Sequence, residues 1–425
     1  MPPSYFISEQ NHSNLNNLRV PLQKTQNSTS AVPKIRVLQV LSNFGIGGAE
    51  TWLISLLRYF KENAAALGCQ VQTDVFLTHG IRDRLDDEAE ALGARLIYAR
   101  YSRKTLPSFI STWRRTLASE NYAAIHDHQE FASGWHFLFG TGHLPPVRIA
   151  HLHNPMSHQE SYGTGPGRRA SIRLGNHMIA RYATHLLSTS RQLITEQGFD
   201  DLHAARHLKK MAVHCGFDSS RFMLNSTEMH SQLRAQFDLS PDAKVLLFVG
   251  RLDSNMDESC NQKNPAFCLE VARECAHRDP LFTCLLAGGG ESMRERLHER
   301  VHTWGLAKRI LLLGPRQDVP QLMVGADLLL FPSFAEGLGM VAVEAQAAGL
   351  RVIASDGVPE ECRVVEDLVD FLPLSAGVEH WASKVMQKLN QPKPDRIQAN
   401  LKVAASPFSI ENSAKLLTAI YRGNI

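Results

Sequence analysis

The chain has 425 residues, of which 44% are hydrophobic and 20% charged. A typical domain size divides this length into about 2.8 parts, so two large domains are expected, and global disorder, a coiled coil and a collagen-like rod are excluded. Lys and Arg number 45 against 42 Asp and Glu, a balance that gives no argument for a nucleic-acid partner.

Residues 1–33 are rich in Asn, Ser, Gln and Pro, and read as a disordered or loosely packed tail. They contain no apolar core of a secretory signal, and the chain has no apolar run long enough to span a membrane. From Lys34 the texture changes. IRVLQVLS (35–42) is a short β-branched run, followed by a helical pattern from Ala49 to about Asn63. Similar runs recur at 71–78, 94–99, 123–128, 147–153 and 185–190, most of them separated by helix-length segments. A polar stretch around 217–243 follows. A second series then starts, at 244–250, 282–288, 309–314, 327–333 and 351–355. Strands alternating with helices predict parallel sheets covered on both faces. The fold class is therefore α/β, with two doubly wound, Rossmann-like halves. The domains are set at 34–225 and 226–403, with a last segment, 404–425, expected to carry a helix packing back on the first half. The seven cysteines form no C-x-x-C pair and are odd in number, which suits reduced thiols in a cytoplasm. The sequons at Asn11, Asn27 and Asn225 are then chance matches.

Ligands of such sheets bind beyond the carboxyl ends of the strands. After the first strand comes Asn43-Phe44-Gly45-Ile46-Gly47-Gly48-Ala49-Glu50. Glycines between a strand and a helix let backbone N–H groups approach an anion; a tight strand–helix turn is the plain alternative. The loop does not match the dinucleotide pattern G-x-G-x-x-G, which disfavours a nicotinamide dehydrogenase. Arg251 and Lys263 follow the first strand of the second half. As a planar fork and a point charge they suit a diphosphate, although single cations are more often merely solvated.

The densest signal is PSFAEGLGMVAVEAQAAGLRVIASD (332–356). Glu336 falls in a loop after a strand, Gly337 and Gly339 bracket a helix start, and Glu344 lies eight residues after Glu336. Free N–H groups at that start would cap a phosphate, and carboxylates accept hydrogen bonds from sugar hydroxyls. An idle Glu on an Ala-rich, buried helix would be costly.

This segment resembles the E-x7-E signature of family 4 of the retaining glycosyltransferases, which have the GT-B fold: two Rossmann-like domains facing across a cleft. Gly47-Gly48-Ala49-Glu50, Gly250-Arg251, Lys263, Ala287-Gly288-Gly289-Gly290 and Val358-Pro359-Glu360-Glu361 fall where such enzymes carry comparable motifs. Gly289 departs from the acidic or polar residue common at its place. HLHNP, PEE and FLPL resemble bacterial capsule and exopolysaccharide enzymes more narrowly.

The resemblance implies a nucleotide-sugar donor, UDP-linked, held by the second domain, and a saccharide or lipid-linked acceptor held by the first. Gly47 and Gly48 would lie against the donor phosphates, which Arg251 and Lys263 would neutralise. Glu336 would hold the transferred sugar, with Gly337, Leu338, Gly339 and Met340 offering backbone N–H groups. Glu344 would grip the ribose, and Arg316 is a base-side candidate. Among the 19 histidines, His128 of His126-Asp127-His128 matches a position against the donor sugar; His151 and His153 end the next strand. The H-x-H spacing suggests a metal only weakly without matching carboxylates or thiols, so no metal and no cofactor are expected. Arg168, Arg169, Arg173, His177 and Arg181 form a basic stretch that could meet an anionic membrane surface, a solvated helix face being the blander reading. The expected place is the cytoplasm, or the inner face of its membrane. An epimerase or hydrolase on the same fold and a non-catalytic binding protein stay open.

Overall fold

The computed structural model describes residues 32–45, 47–156, 165–252 and 261–425. The expected tail therefore lies outside the described residues, except for Val32 and Pro33.

Two parallel sheets carry the fold. The first has seven strands in the order β3-β2-β1-β4-β5-β6-β7. These are β1 (Lys34–Leu41), β2 (Gln70–Leu77), β3 (Arg95–Tyr98), β4 (Tyr122–Asp127), β5 (Val147–Leu152), β6 (His185–Ser188) and β7 (Lys209–Ala212). The second has six, in the order β10-β9-β8-β11-β12-β13. They are β8 (Lys244–Val249), β9 (Phe282–Ala287), β10 (Ile310–Gly314), β11 (Leu328–Phe331), β12 (Arg351–Ser355) and β13 (Val369–Leu372). Among the described residues every strand pairing is parallel. Two strands went unread in the sequence, β7 and β13, and each lies at a sheet edge.

The continuous apolar runs of β1, β8 and β9 follow from this arrangement. Helices cover both faces of a parallel sheet, so successive residues are buried whichever way they point. Val37, Leu38 and Val40 are accordingly all solvent-free.

The order of strands reverses between β1 and β4, and again between β8 and β11. Such switch points open a crevice at the carboxyl ends of the strands. Here the loops after β1, β4, β8 and β11 all line one cleft of about 760 Å³.

The chain crosses between the halves twice, and the two crossings pair. Phe217 N–H donates to Phe408 O at 3.0 Å and Ile410 N–H to Phe217 O at 3.0 Å. The final helix, Ile410–Tyr421, then lies on the first half. Its Ala414, Leu417 and Tyr421, spaced to share one face, join Trp52, Leu53 and Leu56 in a common core.

Candidate functional site

The glycine loop after β1 opens the helix Gly48–Glu62, with Gly47 as its extended N-cap. Gly47 offers no capping side chain and the Glu50 carboxylate bonds its own backbone N–H, which leaves the N–H groups of Gly48 and Ala49 for an anion. A Cβ on Gly47 would lie 2.2 Å from Glu50 Oε2, whereas one on Gly48 would meet nothing within 4 Å. A side chain at Gly47 would have to displace the Glu50 carboxylate, which is folded back over it. Burial raises the Glu50 pKa, and the Arg251 guanidinium opposes that shift.

On the other wall, Gly250, Arg251 and Lys263 line the cleft together with Glu336, Gly337, Leu338, Gly339 and Met340. Gly250 lets the Lys263 stem pass, since a Cβ there would come within 3.1 Å of its Cγ. Lys263 Nζ lies 5.4 Å from the centre of the Phe331 ring and donates to Glu336 Oε1 at 2.6 Å. The residue expected on the diphosphate and the residue expected on the sugar therefore hold one another. Gly339 has φ +90° and N-caps the helix Met340–Ala347, a backbone that suits glycine. This helix start, too, has no side-chain cap.

Glu344 lies four residues beyond Met340, on the same helix face. Burial pushes its pKa up to about 7, and Arg221 and Lys263 pull against that rise. Arg221 had no motif to mark it in the sequence. Arg316 behaves otherwise: its Nε and Nη2 donate to the two oxygens of Asp318 at 2.8 and 2.5 Å. With its fork satisfied by a neighbour, it does not line the cleft.

The histidines form a single buried chain. His153 Nε2 lies 2.9 Å from His128 Nδ1, and His128 Nε2 lies 2.9 Å from Gln39 Oε1. Gln39 Nε2 donates to Tyr421 Oη at 3.0 Å. Tyr421 Oη is 2.7 Å from His126 Nδ1, and His126 Nε2 is 2.9 Å from His151 Nδ1. Trp52 packs against all four rings, at 5.4–6.3 Å between centroids. His128, expected against the donor sugar, lines the cleft, and both of its nitrogens are hydrogen-bonded to protein groups. Of the two cleft histidines, His153 alone keeps a nitrogen, Nδ1, without a protein partner among the described residues.

The ring nitrogens of His126, His128 and His151 lie within 4.8 Å of one another, near enough for a cation on distance alone. Their nitrogens are already hydrogen-bonded, apart from His151 Nε2. A cation would have to break those bonds to bind.

Sequence reasoning missed the residues that hold this wall. Glu130, at φ +53°, accepts from the N–H groups of His153 and Asn154 at 2.9 and 3.0 Å. Burial lifts its pKa to about 7 against those bonds. Asp127 of the H-D-H run accepts from Ser133 Oγ at 2.9 Å and pairs with His136 Nδ1 at 2.7 Å, so it secures the following turn and helix.

The two walls meet at named points. A Cβ on Gly337 would lie 2.0 Å from His153 O. Glu361 accepts from Arg191 N–H at 2.8 Å across the domains. The basic stretch falls on the helix Pro166–Tyr182. Arg169, Arg173 and His177 are exposed on it, while Arg168 lies 5.7 Å over the Phe131 ring. Among the described residues no helix is long and apolar enough to cross a membrane.

Two family models match this chain. One, described as a glycosyl transferase 4-like domain, covers residues 56–204, and the other, glycosyl transferases group 1, covers residues 243–391. EpsF of Bacillus subtilis (strain 168), which bears a glycosyltransferase name, is 27% identical over 91% of this chain and 96% of its own length. A D-inositol 3-phosphate glycosyltransferase of Mycobacterium ulcerans (strain Agy99) is 28% identical over 71% of this chain and 64% of its own. In three dimensions the chain is similar to HepE of Anabaena, solved with UDP and glucose. That likeness has a TM-score of 0.67 at 17% identity, covering 90% of this chain and 98% of HepE.

Proposed function

Since the chain is a glycosyltransferase of the GT-B fold and the family 4 type, resembling exopolysaccharide enzymes, we propose that it moves a sugar from a UDP-sugar to a saccharide or lipid-linked acceptor, with retention at the anomeric carbon. One observation carries this reading. Two uncapped helix starts, Arg251, and the Lys263–Glu336 pair converge on one cleft at the two switch points.

A diphosphate in that cleft would draw Lys263 toward its oxygens and free Glu336 to accept sugar hydroxyls. Glu344, one turn along its helix, is in place for the ribose. In the transfer, the bond from the anomeric carbon to the diphosphate oxygen breaks. The acceptor oxygen bonds to that carbon from the same face, and the departing phosphate oxygen takes the acceptor proton. Arg251, Lys263 and the helix starts stabilise the charge on the leaving group. No side chain serves as nucleophile, so the two glutamates are not the acid/base pair of a glycosidase. Positive charge at the diphosphate comes from the protein, and the reading uses no metal.

The acceptor would enter along the wall bearing His153. The exposed Arg169, Arg173 and His177 face suits an anionic surface or a lipid diphosphate. A thermal-shift panel of nucleotide-sugars tests the donor, because a ligand of the folded state raises the melting temperature. UDP-sugars are expected to shift it most. The anomeric configuration of the product, read by NMR, then tests retention. A UDP-sugar converted to an isomer or to free sugar as fast without acceptor as with it would favour the epimerase or hydrolase reading.

A further inference from the structure

The hydrogen-bonded chain from the cleft to the core has a direction, and that direction fixes what His153 offers. Gln39 is the one member whose donor nitrogen and acceptor oxygen cannot exchange roles by moving a proton. Its Nε2 donates to Tyr421 Oη, so its Oε1 must accept, and His128 Nε2 carries the proton that it accepts. His128 Nδ1 is then a lone pair, which accepts from His153 Nε2–H. His153 Nδ1 is left unprotonated toward the cleft.

The other end agrees. Because Tyr421 Oη accepts from Gln39 Nε2, its own proton is free to be donated to His126 Nδ1, and His126 Nε2–H donates to His151 Nδ1. His151 Nε2 then carries a proton. It has no partner within hydrogen-bonding reach, yet the Val213 backbone acts on this ring in the sense that favours protonation. Each joint therefore points the same way, from His153 inward.

We propose that Tyr421, acting through Gln39 and His128, is a positioning residue that holds His153 in the Nε2–H tautomer, so that Nδ1 accepts a hydrogen bond from a substrate hydroxyl in the cleft. The proposal rests on the reading of the cleft as the transfer site. It gives the returning C-terminal helix a part in the chemistry: Tyr421 lies 382 residues from Gln39 in sequence and enters the first domain only because that helix packs back on it. A histidine's tautomer is set by the bond its other nitrogen makes. Without the Tyr421 hydroxyl, the Gln39 amide loses its link to His126 and His151, whose bonds set the direction of the chain, and the amide can turn over. The turned amide donates to His128 Nε2, and both rings between it and the cleft reverse.

The test uses the full chain with ring-15N histidine. In the parent, His153 is expected to show a protonated Nε2 and an unprotonated Nδ1. Tyr421→Phe keeps the buried ring and removes only the hydroxyl; Gln39→Met breaks the chain at its second joint. In either, a second His153 tautomer is expected to appear, and UDP release from UDP-glucose to fall about tenfold in kcat with little change in KM. A His153 ring unchanged in both folded variants overturns the proposal, whatever their activity. A changed ring with unchanged kcat also overturns it. In that case a fully active His153→Ala variant would locate the fault in the place given to His153 in transfer, rather than in the chain behind it.

Discussion

Lowering the pH from 7 to 5 is expected to destabilise the N-terminal half selectively. His126, His128 and His151 have pKa values well below the ordinary 6.5, because burial disfavours the imidazolium and neighbouring rings repel it. Burial alone brings His153 down to about 4. At pH 5 each ring binds a proton in the unfolded chain but not in the folded one. The unfolded state thus gains protons, and stability is lost as the pH falls below 6.5. Each ring costs at most about 2 kcal/mol over this interval, and the four together at most about 8 kcal/mol. Glu130 works in the opposite sense. Its pKa is about 7 in the folded chain, so the folded state takes up the extra proton and offsets about 2 kcal/mol. The net loss, at most about 6 kcal/mol, is comparable to the whole stability of a small domain. Glu344, with a pKa of about 7, shifts the C-terminal half the other way. Urea unfolding followed by tryptophan emission should show an N-terminal transition that falls by on the order of 2 M between pH 7 and pH 5. His151→Leu should recover about 2 kcal/mol of that loss. A midpoint at pH 5 equal to the one at pH 7, or a His151→Leu variant with an unchanged pH slope, refutes the reasoning.

Glu336→Gln keeps the shape of the side chain but loses the charge held by Lys263, and transfer is expected to fall at least about a hundredfold with the melting temperature nearly unchanged. Lys263→Ala should do the same in kinetics and also destabilise, by about 3 kcal/mol, because Glu336 is left buried and unpaired; full turnover in either variant would remove both residues from the site. Gly337→Ala places a methyl group 2.0 Å from His153 O and 3.1 Å from Thr189 Oγ1. It should force the walls apart and lower turnover by about tenfold or more, with UDP binding, read by calorimetry, retained. Donor affinity should weaken as the pH falls from 8 to 6, because Glu344, with its pKa near 7, loses the charge that strengthens its bonds to hydroxyls. A Glu344→Gln variant should bind weakly and without that pH dependence, and an affinity flat with pH in the parent chain would count against the ribose assignment.

The central strands were legible because burial on both faces leaves nearly continuous apolar runs. Two of the four edge strands, β7 and β13, were not. Lys209–Ala212 carries two lysines in four residues and Val369–Leu372 an aspartate, since an edge has one neighbour and can face solvent. Glu336, Lys263 and the glycines, which line one cleft, stood out in the sequence because each lies on a strand-end loop with local punctuation. Their pairing did not, since 73 residues separate Lys263 from Glu336. The choice between His128 and His153 was beyond any local pattern. Each lies just past the end of a strand, and the difference is made by Gln39 and Tyr421, which lie far from both in sequence. Arg316 looked like a ligand because it follows β10; Asp318, two residues on, occupies it instead.

The contacts between the walls bear on when the site is complete. His153 offers its free nitrogen to the cleft from one domain, and its carbonyl abuts Gly337 of the other, beside Glu336. Glu361 of the second domain holds the N–H of Arg191 in the first. A backbone approach that excludes even a methyl group cannot survive a rotation of one domain against the other. Opening the cleft must therefore separate His153 from the sugar loop while leaving Lys263, Glu336 and Glu344 together, because these three belong to one domain. On the proposed function, the second-domain part of the donor site would thus stay together in either arrangement, whereas the helix start after β1 and the His153 nitrogen would reach the donor only in the closed one. Closure would then set when transfer can occur, with Gly337 permitting the close approach to His153 O.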